Sequence, residues 1–283
     1  MKKSIIAVLL IASLLTLASC SAPNTIEVTS MDYPSLTKMS PGEFDESLCW
    51  KYILANYKWH NYSCRLSVEN GKLFVSNERA DITDTKSEMF PDGYLLGTDF
   101  GEYSGWVRWC LHEELIYPED RTPTVTETQL SDKNCRFIIR PARHADYAFV
   151  ILDTYSMISD YSCDTVICRF ERISDGSGYD YKYKLEFNEI ASLGGECTAY
   201  LNCEEKECIY FVTECGIYKL NYDGTLETVV EDENFMYMVQ ITSIVLYEGE
   251  IYCSSPLGIY RYNPETGESL WYPMDYEKYV ENP

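Results

Sequence analysis

Basic residues are scarce in this chain. Lys and Arg total 23 of 283 residues against 45 Asp and Glu, for a net charge of -22. No run of lysine or arginine offers a basic patch. Nucleic-acid affinity depends on neutralising phosphates, so this balance speaks against DNA or RNA as a partner. Histidine is rarer still, with His60, His112 and His144 only. None stands at i, i+4 spacing to another, and no Cys-x-x-Cys occurs, so zinc-site spacings are missing. Cys163 and Cys168, like Cys203 and Cys208, lie five apart, which does not match them either. Gly101-Glu102-Tyr103-Ser104-Gly105 does not have the G-x-S-x-G spacing of a nucleophile elbow. Long helical periodicity is absent. So is any apolar run long enough for a good membrane span; the longest, residues 5–17 (IIAVLLIASLLTL), is too short.

That run has a different reading. Met1-Lys2-Lys3 is a basic start, residues 5–17 are an apolar h-region, and Leu17-Ala18-Ser19-Cys20 follows. A basic n-region, a short apolar stretch and small residues before a cut site are the pattern of a secretory signal. The Leu-Ala-Ser-Cys at 17–20 resembles the lipobox of bacterial lipoproteins. The resemblance implies a signal peptide over 1–19, palmitate-type acylation of Cys20 and a membrane anchor. The chain would then sit on the extracytoplasmic face of the cell membrane or outer membrane. One acyl chain holds only marginally, at ~0.8 kcal/mol per buried methylene, and the resemblance implies two or three. Loss of residues 1–19 removes Lys2 and Lys3, so the charge moves two further units, from -22 to -24.

What the chain has in quantity is aromatic and β-forming residues. There are 25 Tyr, 10 Phe and 5 Trp, and such residues favour strands. Residues 20–47 are Ser/Thr/Pro-rich and read as a lipidated N-terminus and flexible tether, part of which can also pack as a closing strand. From 48 to 283 a strand-turn-strand theme repeats. The clearest copies are ECIYFVTECGIYKLNYDGTLETVV (207–230) and GEIYCSSPLGIYRYNPETGESLWYP (249–273), whose Ile209 and Ile251 lie 42 apart. Asp223-Gly224 and Thr266-Gly267 supply turns. Alternation in IYKLN and IYRYN predicts half-buried strands. Weaker copies run over 146–187, 93–111 and 66–78, the last a hairpin with Asn70-Gly71 at its tip. A period near forty with several strands per unit predicts an all-β, β-propeller-like domain of about five or six blades.

Tyr262-Asn263-Pro264-Glu265-Thr266-Gly267-Glu268-Ser269-Leu270-Trp271 resembles the PQQ-like (quinoprotein-type) propeller repeat, Asp-x-x-Thr-Gly-x-x-x-Trp, with Asn263 in place of the Asp. The resemblance implies that Trp271 packs between neighbouring blades. The preceding copy departs from it, with Val229 or Val230 where the Trp falls. Quinone-dependent enzymes of that kind use eight blades, a calcium site and often an adjacent Cys-Cys pair; this chain has room for fewer blades and lacks that pair, so no cofactor is expected. The loops Asp175–Asp180 and Asn221–Gly224 carry carboxylates without the full calcium pattern and read as turns.

Eleven cysteines remain besides Cys20. Cys208, Cys215 and Cys253 fall at apolar strand positions, where the residue behaves as a small hydrophobe. Cys203 and Cys208 flank Glu-Glu-Lys-Glu; a bridge across that turn is geometrically permitted, and two buried thiols are the preferred alternative.

Tyr103, Trp106, Trp109, Tyr155, Tyr161, Tyr179 and Tyr181 are the candidate ligand-binding residues, since rings offer stacking area and polar tips. The alternative is that Trp106 and Trp109 alternate into blade interfaces. The functional expectation is a non-catalytic, envelope-anchored binding or scaffolding module for a protein or glycan. The alternatives are an extracytoplasmic carbohydrate-active enzyme (a glycosidase or lyase) and an envelope-assembly factor.

Overall fold

The computed structural model describes residues 27–28, 63–78, 85–99, 105–111, 127–144, 146–156, 162–174, 183–231, 241–255 and 258–273. These residues are almost entirely strand, with one 3-10 turn at Glu204–Lys206. They form five separate sheets taken in chain order, none closed into a barrel.

Sheet I contains β1 (Glu27–Val28), β2 (Ser63–Glu69) and β3 (Lys72–Glu78), in the order β1-β3-β2. Sheet II contains β4 (Thr85–Phe90), β5 (Gly93–Thr98), β6 (Trp106–Leu111) and β7 (Glu127–Ser131). Sheet III contains β8 (Asn134–Ile139), β9 (Tyr147–Ser156), β10 (Ser162–Ser174) and β11 (Tyr183–Gly194). Sheet IV contains β12 (Cys197–Cys203), β13 (Cys208–Thr213), β14 (Gly216–Asn221) and β15 (Leu226–Glu231). Sheet V contains β16 (Ser243–Tyr247), β17 (Glu250–Ser255), β18 (Gly258–Asn263) and β19 (Glu268–Pro273). Sheets II to V are up-and-down antiparallel meanders. In sheet I, β1 pairs in parallel with β3, Glu27 opposite Phe74. A strand therefore lies inside the segment read as tether, leaving residues 21–26 between it and Cys20.

The turns follow their residues. Asn70 and Gly71 both take positive φ, 51° and 72°, as a two-residue hairpin turn requires. At the tip of β18–β19 the Asn263 side-chain oxygen accepts the Glu265 and Thr266 amides at 2.9 and 3.2 Å, an Asx turn. The Asp223 carboxylate does the same for the Thr225 amide (2.8 Å) and hydroxyl (2.7 Å). Gly216 opens β14 because a side chain there has no room: a Cβ would stand 2.2 Å from the Val230 carbonyl oxygen.

Sheets II to V each bury a face on a neighbouring sheet. Phe90, Leu95, Val107 and Trp109 of sheet II meet Val150, Leu152 and Phe170 of sheet III. Phe149, Ile151 and Ile167 of sheet III meet Ile209, Phe211 and Leu220 of sheet IV. Tyr210 and Val212 of sheet IV meet Ile251, Cys253, Tyr260 and Trp271 of sheet V. Tyr252 and Ile259 of sheet V then meet Leu66, Leu73 and Val75 of sheet I, so the last sheet packs on the first. This junction is also hydrogen-bonded: the Leu66 amide donates to Ser243 Oγ at 2.7 Å, which lies 2.6 Å from Ser254 Oγ. All six residues of β13 and of β17 are buried. A strand covered on both faces needs no alternation, which is why CIYFVT reads as one apolar run.

Two irregularities recur. In sheets II, III and IV the third strand slips against the fourth after Val107, Ile167 and Ile217. The extra residue is Leu130, Ile190 or Val229, and each packs into the interface with the following sheet. A second bulge lies in the first strands of sheets III and IV, after Cys135 and Cys197. A bulge bends its strand and re-aims a side chain.

Among the described cysteines, Cys208 and Cys253 are buried as expected. Cys215 is not at a strand position; it lies exposed on the β13–β14 turn, because the Gly216 strand start falls one residue later than the apolar pattern suggests.

Candidate functional site

The recurring third-strand bulge fixes equivalent positions. Val107, Ile167 and Ile217 pair with Gly97, Ile151 and Val212 on the second strands. Two residues further on, each sheet carries an acid: Asp99, Asp153 and Glu214. These stand at the end of the molecule where second strands turn into third strands and where one sheet hands over to the next.

Arg136 lies at this end, on the β8 bulge between Cys135 and Phe137. Its guanidinium reaches three carboxylates from three chain segments. Nη1 is 3.1 Å from Asp99 Oδ2, Nε donates to Asp153 Oδ2 at 2.7 Å, and Nη2 contacts Glu196 Oε1. The Asp153 side chain is 0% exposed. Burial pushes its carboxyl above the usual range, and Arg136 only partly opposes that. Asp153 Oδ1 lies 3.1 Å from the Thr165 hydroxyl, which is 2.9 Å from the Gly195 carbonyl oxygen and accepts the Cys197 amide at 2.8 Å. Thr165 has one proton for two acceptors, so a proton on Asp153 would satisfy both contacts.

Three carboxylates thus meet Arg136, and Lys86 is close enough to act on the Cys135 thiol. Asp132, Asp164, Glu214 and Glu231 lie at the same strand ends, with Lys133 as a further cation. The end is acidic. Asp153 is sealed in, while Asp99 and Glu196 keep 14% and 29% exposure; they are the groups that solvent or a ligand can reach.

The opposite end holds structural ties. The Arg172 side chain, 1% exposed, stands 3.0 Å from Asp92 Oδ1 and joins sheets II and III. Glu250 accepts from Arg261, from the Tyr252 hydroxyl at 3.0 Å and from Asn263 at 3.0 Å. Hydrogen bonding from Arg261 holds the Glu250 carboxyl below its usual range. His144 packs on Tyr147, ring centroids 4.7 Å apart. Among the described residues no group of His, Cys, Asp and Glu is suited to hold a metal.

The sequence candidates scatter. Trp106 opens β6 opposite Thr98, beside Asp99, half-buried with the Arg108 guanidinium 4.4 Å above its ring. Trp109, 2% exposed, stacks on Phe170 (centroids 5.2 Å apart) and meets the edge of Phe90 (5.4 Å); its place is the II–III core, not an accessible face. Tyr155 lies on β9 opposite Cys163. Cys20, Tyr103, Tyr161, Tyr179 and Tyr181 lie outside the described residues. In the sequence, 103 falls between β5 and β6, 161 between β9 and β10, and 179 and 181 between β10 and β11.

No family model and no curated protein matches the sequence. Among solved structures the chain is similar to the extracellular domain of BT4673 from B. thetaiotaomicron, described in one case as a one component system and in another as a hybrid two component system. The first match has 12% identity and a TM-score of 0.30, covering 74% of this chain and 33% of that one. The second has 11% identity and a TM-score of 0.34, covering 87% and 35%. The chain spans about a third of the length of each.

Proposed function

We propose that the chain is a lipid-anchored, extracytoplasmic binding protein whose head is a β-propeller-like ring, with the Arg136 end as its binding face. The ligand is a protein or glycan of the cell envelope that presents cations or hydrogen-bond donors. The anchor rests on the lipobox-like Leu17-Ala18-Ser19-Cys20. The ring reading is supported by the order of packing, II on III, III on IV, IV on V and V back on I. The Asx turn at Asn263 and the burial of Trp271 between sheets IV and V fit the physical sense of a PQQ-like repeat.

The observation that carries the binding face is the convergence of Asp99, Asp153 and Glu196 on one guanidinium. Carboxylates in excess over cations accept hydrogen bonds from sugar hydroxyls or from lysine and arginine side chains, and charge-assisted bonds of this kind are the stronger ones. Asp153, with both oxygens engaged and no exposure, serves as the fixed floor rather than as a reacting group.

The test is a binding screen of the purified protein against envelope polysaccharides and purified envelope proteins. The reading expects a saturable ligand whose binding weakens in Asp99→Asn and Glu196→Gln. A ligand indifferent to both substitutions would move the binding face elsewhere.

A further inference from the structure

We propose that Cys203 and Cys208 are a redox-responsive pair that closes into a disulfide across the β12–β13 hairpin. The inference stands on the hairpin alone. The binding reading adds only a compartment in which disulfides persist.

The geometry begins with register. Cys203 and Cys208 are direct cross-strand partners, the last pair before the 3-10 turn. Directly opposed residues of antiparallel strands have Cα atoms about 4.5 or 5.5 Å apart, and both values lie in the range a disulfide spans. Their side chains share one face, in the cluster between sheets IV and V. Tyr210 belongs to the same cluster. Cys208 is buried and Cys203 is half-buried at the turn, so Cys203 is the sulfur a small reagent meets first.

The other described thiols lack this arrangement. Cys135 and Cys168 share the II–III core, but β9 runs between their strands. Two strand spacings amount to about 9.5 Å, beyond disulfide reach.

The oxidant is a low-molecular-weight disulfide. The Cys203 thiolate attacks one of its sulfurs, breaking that S–S bond and releasing one thiolate. The Cys208 thiolate then attacks Cys203 Sγ and releases the second. The two protein protons end on the released thiolates. The pair is thereby oxidised by two electrons and the small disulfide is reduced to two thiols. Burial pushes the Cys203 thiol up to about 11, so the thiolate is scarce near neutrality and exchange is slow.

The consequence is local. The turn between the two cysteines carries Glu204, whose Oε1 accepts the Ala142 amide on the β8–β9 turn of sheet III's chain segment at 2.9 Å and Asn202 Nδ2 at 2.7 Å. A disulfide fixes the base of the turn that ties sheet IV to sheet III.

Trypsin makes the test direct, because Lys206 lies between the two cysteines. The reduced protein is incubated with oxidised glutathione, denatured, alkylated and digested. The expected result is a reduction-sensitive pair of peptides, 185–206 linked to 207–219. The link persists in the Cys197→Ser/Cys215→Ser protein and is lost in Cys203→Ser. Hydrogen exchange of the Ala142 amide slows in the oxidised protein. Full alkylation of Cys203 and Cys208 after oxidation, or a link that survives in Cys203→Ser, overturns the proposal.

Discussion

Arg136 Nε donates to Asp153 Oδ2 at 2.7 Å, from a bulged first strand to the end of a second strand whose apolar neighbours are fully buried. The bond joins a cation that three chain segments share to a carboxylate that water does not reach.

Removing the cation should therefore be costly. Arg136→Met removes the cation that faces buried Asp153 and its contacts to Asp99 and Glu196. Breaking a buried pair costs about 3–5 kcal/mol. Thermal unfolding should show a melting point lower by several degrees, with a smaller gap at acid pH, where the carboxylates are neutral. A gap independent of pH would mean that the lost contribution is packing rather than charge.

Two carboxylates should give opposite pH signatures. The Glu250 carboxyl is held low by hydrogen bonding from Arg261. Its stabilising contribution is present above the ordinary glutamate value of 4.5 and is lost as pH falls through the depressed one. Asp153 is raised by burial, so the folded state holds its proton more tightly than the unfolded chain. Its contribution declines as pH rises from the ordinary aspartate value of 3.8 through the raised one. Urea unfolding at a series of pH values should show the stability gap between wild type and Glu250→Gln closing on acidification, while the gap for Asp153→Asn moves the other way.

The II–III interface should depend on Trp109. It stacks on Phe170 and abuts Phe90, and truncation of such a residue to alanine costs about 3–5 kcal/mol. Trp109→Ala should lower the urea midpoint strongly. Trp106→Ala, at a half-buried position, should lower it much less; equal losses would contradict the difference in their burial.

The anchor makes its own prediction. Cys20→Ala should move the protein from the membrane fraction to the soluble fraction, read by fractionation and immunoblot. Retention on membranes would remove the lipid from the account.

The all-β class and the hairpin tips at Asn70-Gly71, Asp223-Gly224 and Thr266-Gly267 were legible because strand residues and turn residues act locally. Trp271 could be placed between units because residues 262–271 resemble a repeat whose Trp packs between blades, and it lies in the cluster of sheets IV and V. The Arg136 cluster was not legible. With 45 acids in the chain, no one carboxylate stands out until the strands are in register. The register depends on bulges that periodicity does not reveal. Once Val107, Ile167 and Ile217 are superposed, Asp99, Asp153 and Glu214 align, and an arginine in the strand NCRFII becomes the signal. Trp109 was left between two readings for a related reason: an indole on a strand suits a ligand face or a core equally, and the packing of sheet II on sheet III decides for the interface alternative. The Cys215 position turned on a single residue of strand boundary.

The most direct test of the central claim is ligand binding compared across the two ends of the molecule. An envelope glycan or protein found to bind wild type should be titrated against Asp99→Asn/Glu196→Gln and against Glu205→Gln, a change on the exposed turn at the opposite end. The account predicts a loss of about tenfold or more in affinity for the first, as expected when charged hydrogen bonds are removed, and unchanged affinity for the second. Undiminished binding by Asp99→Asn/Glu196→Gln would contradict the assignment of the Arg136 end as the binding face.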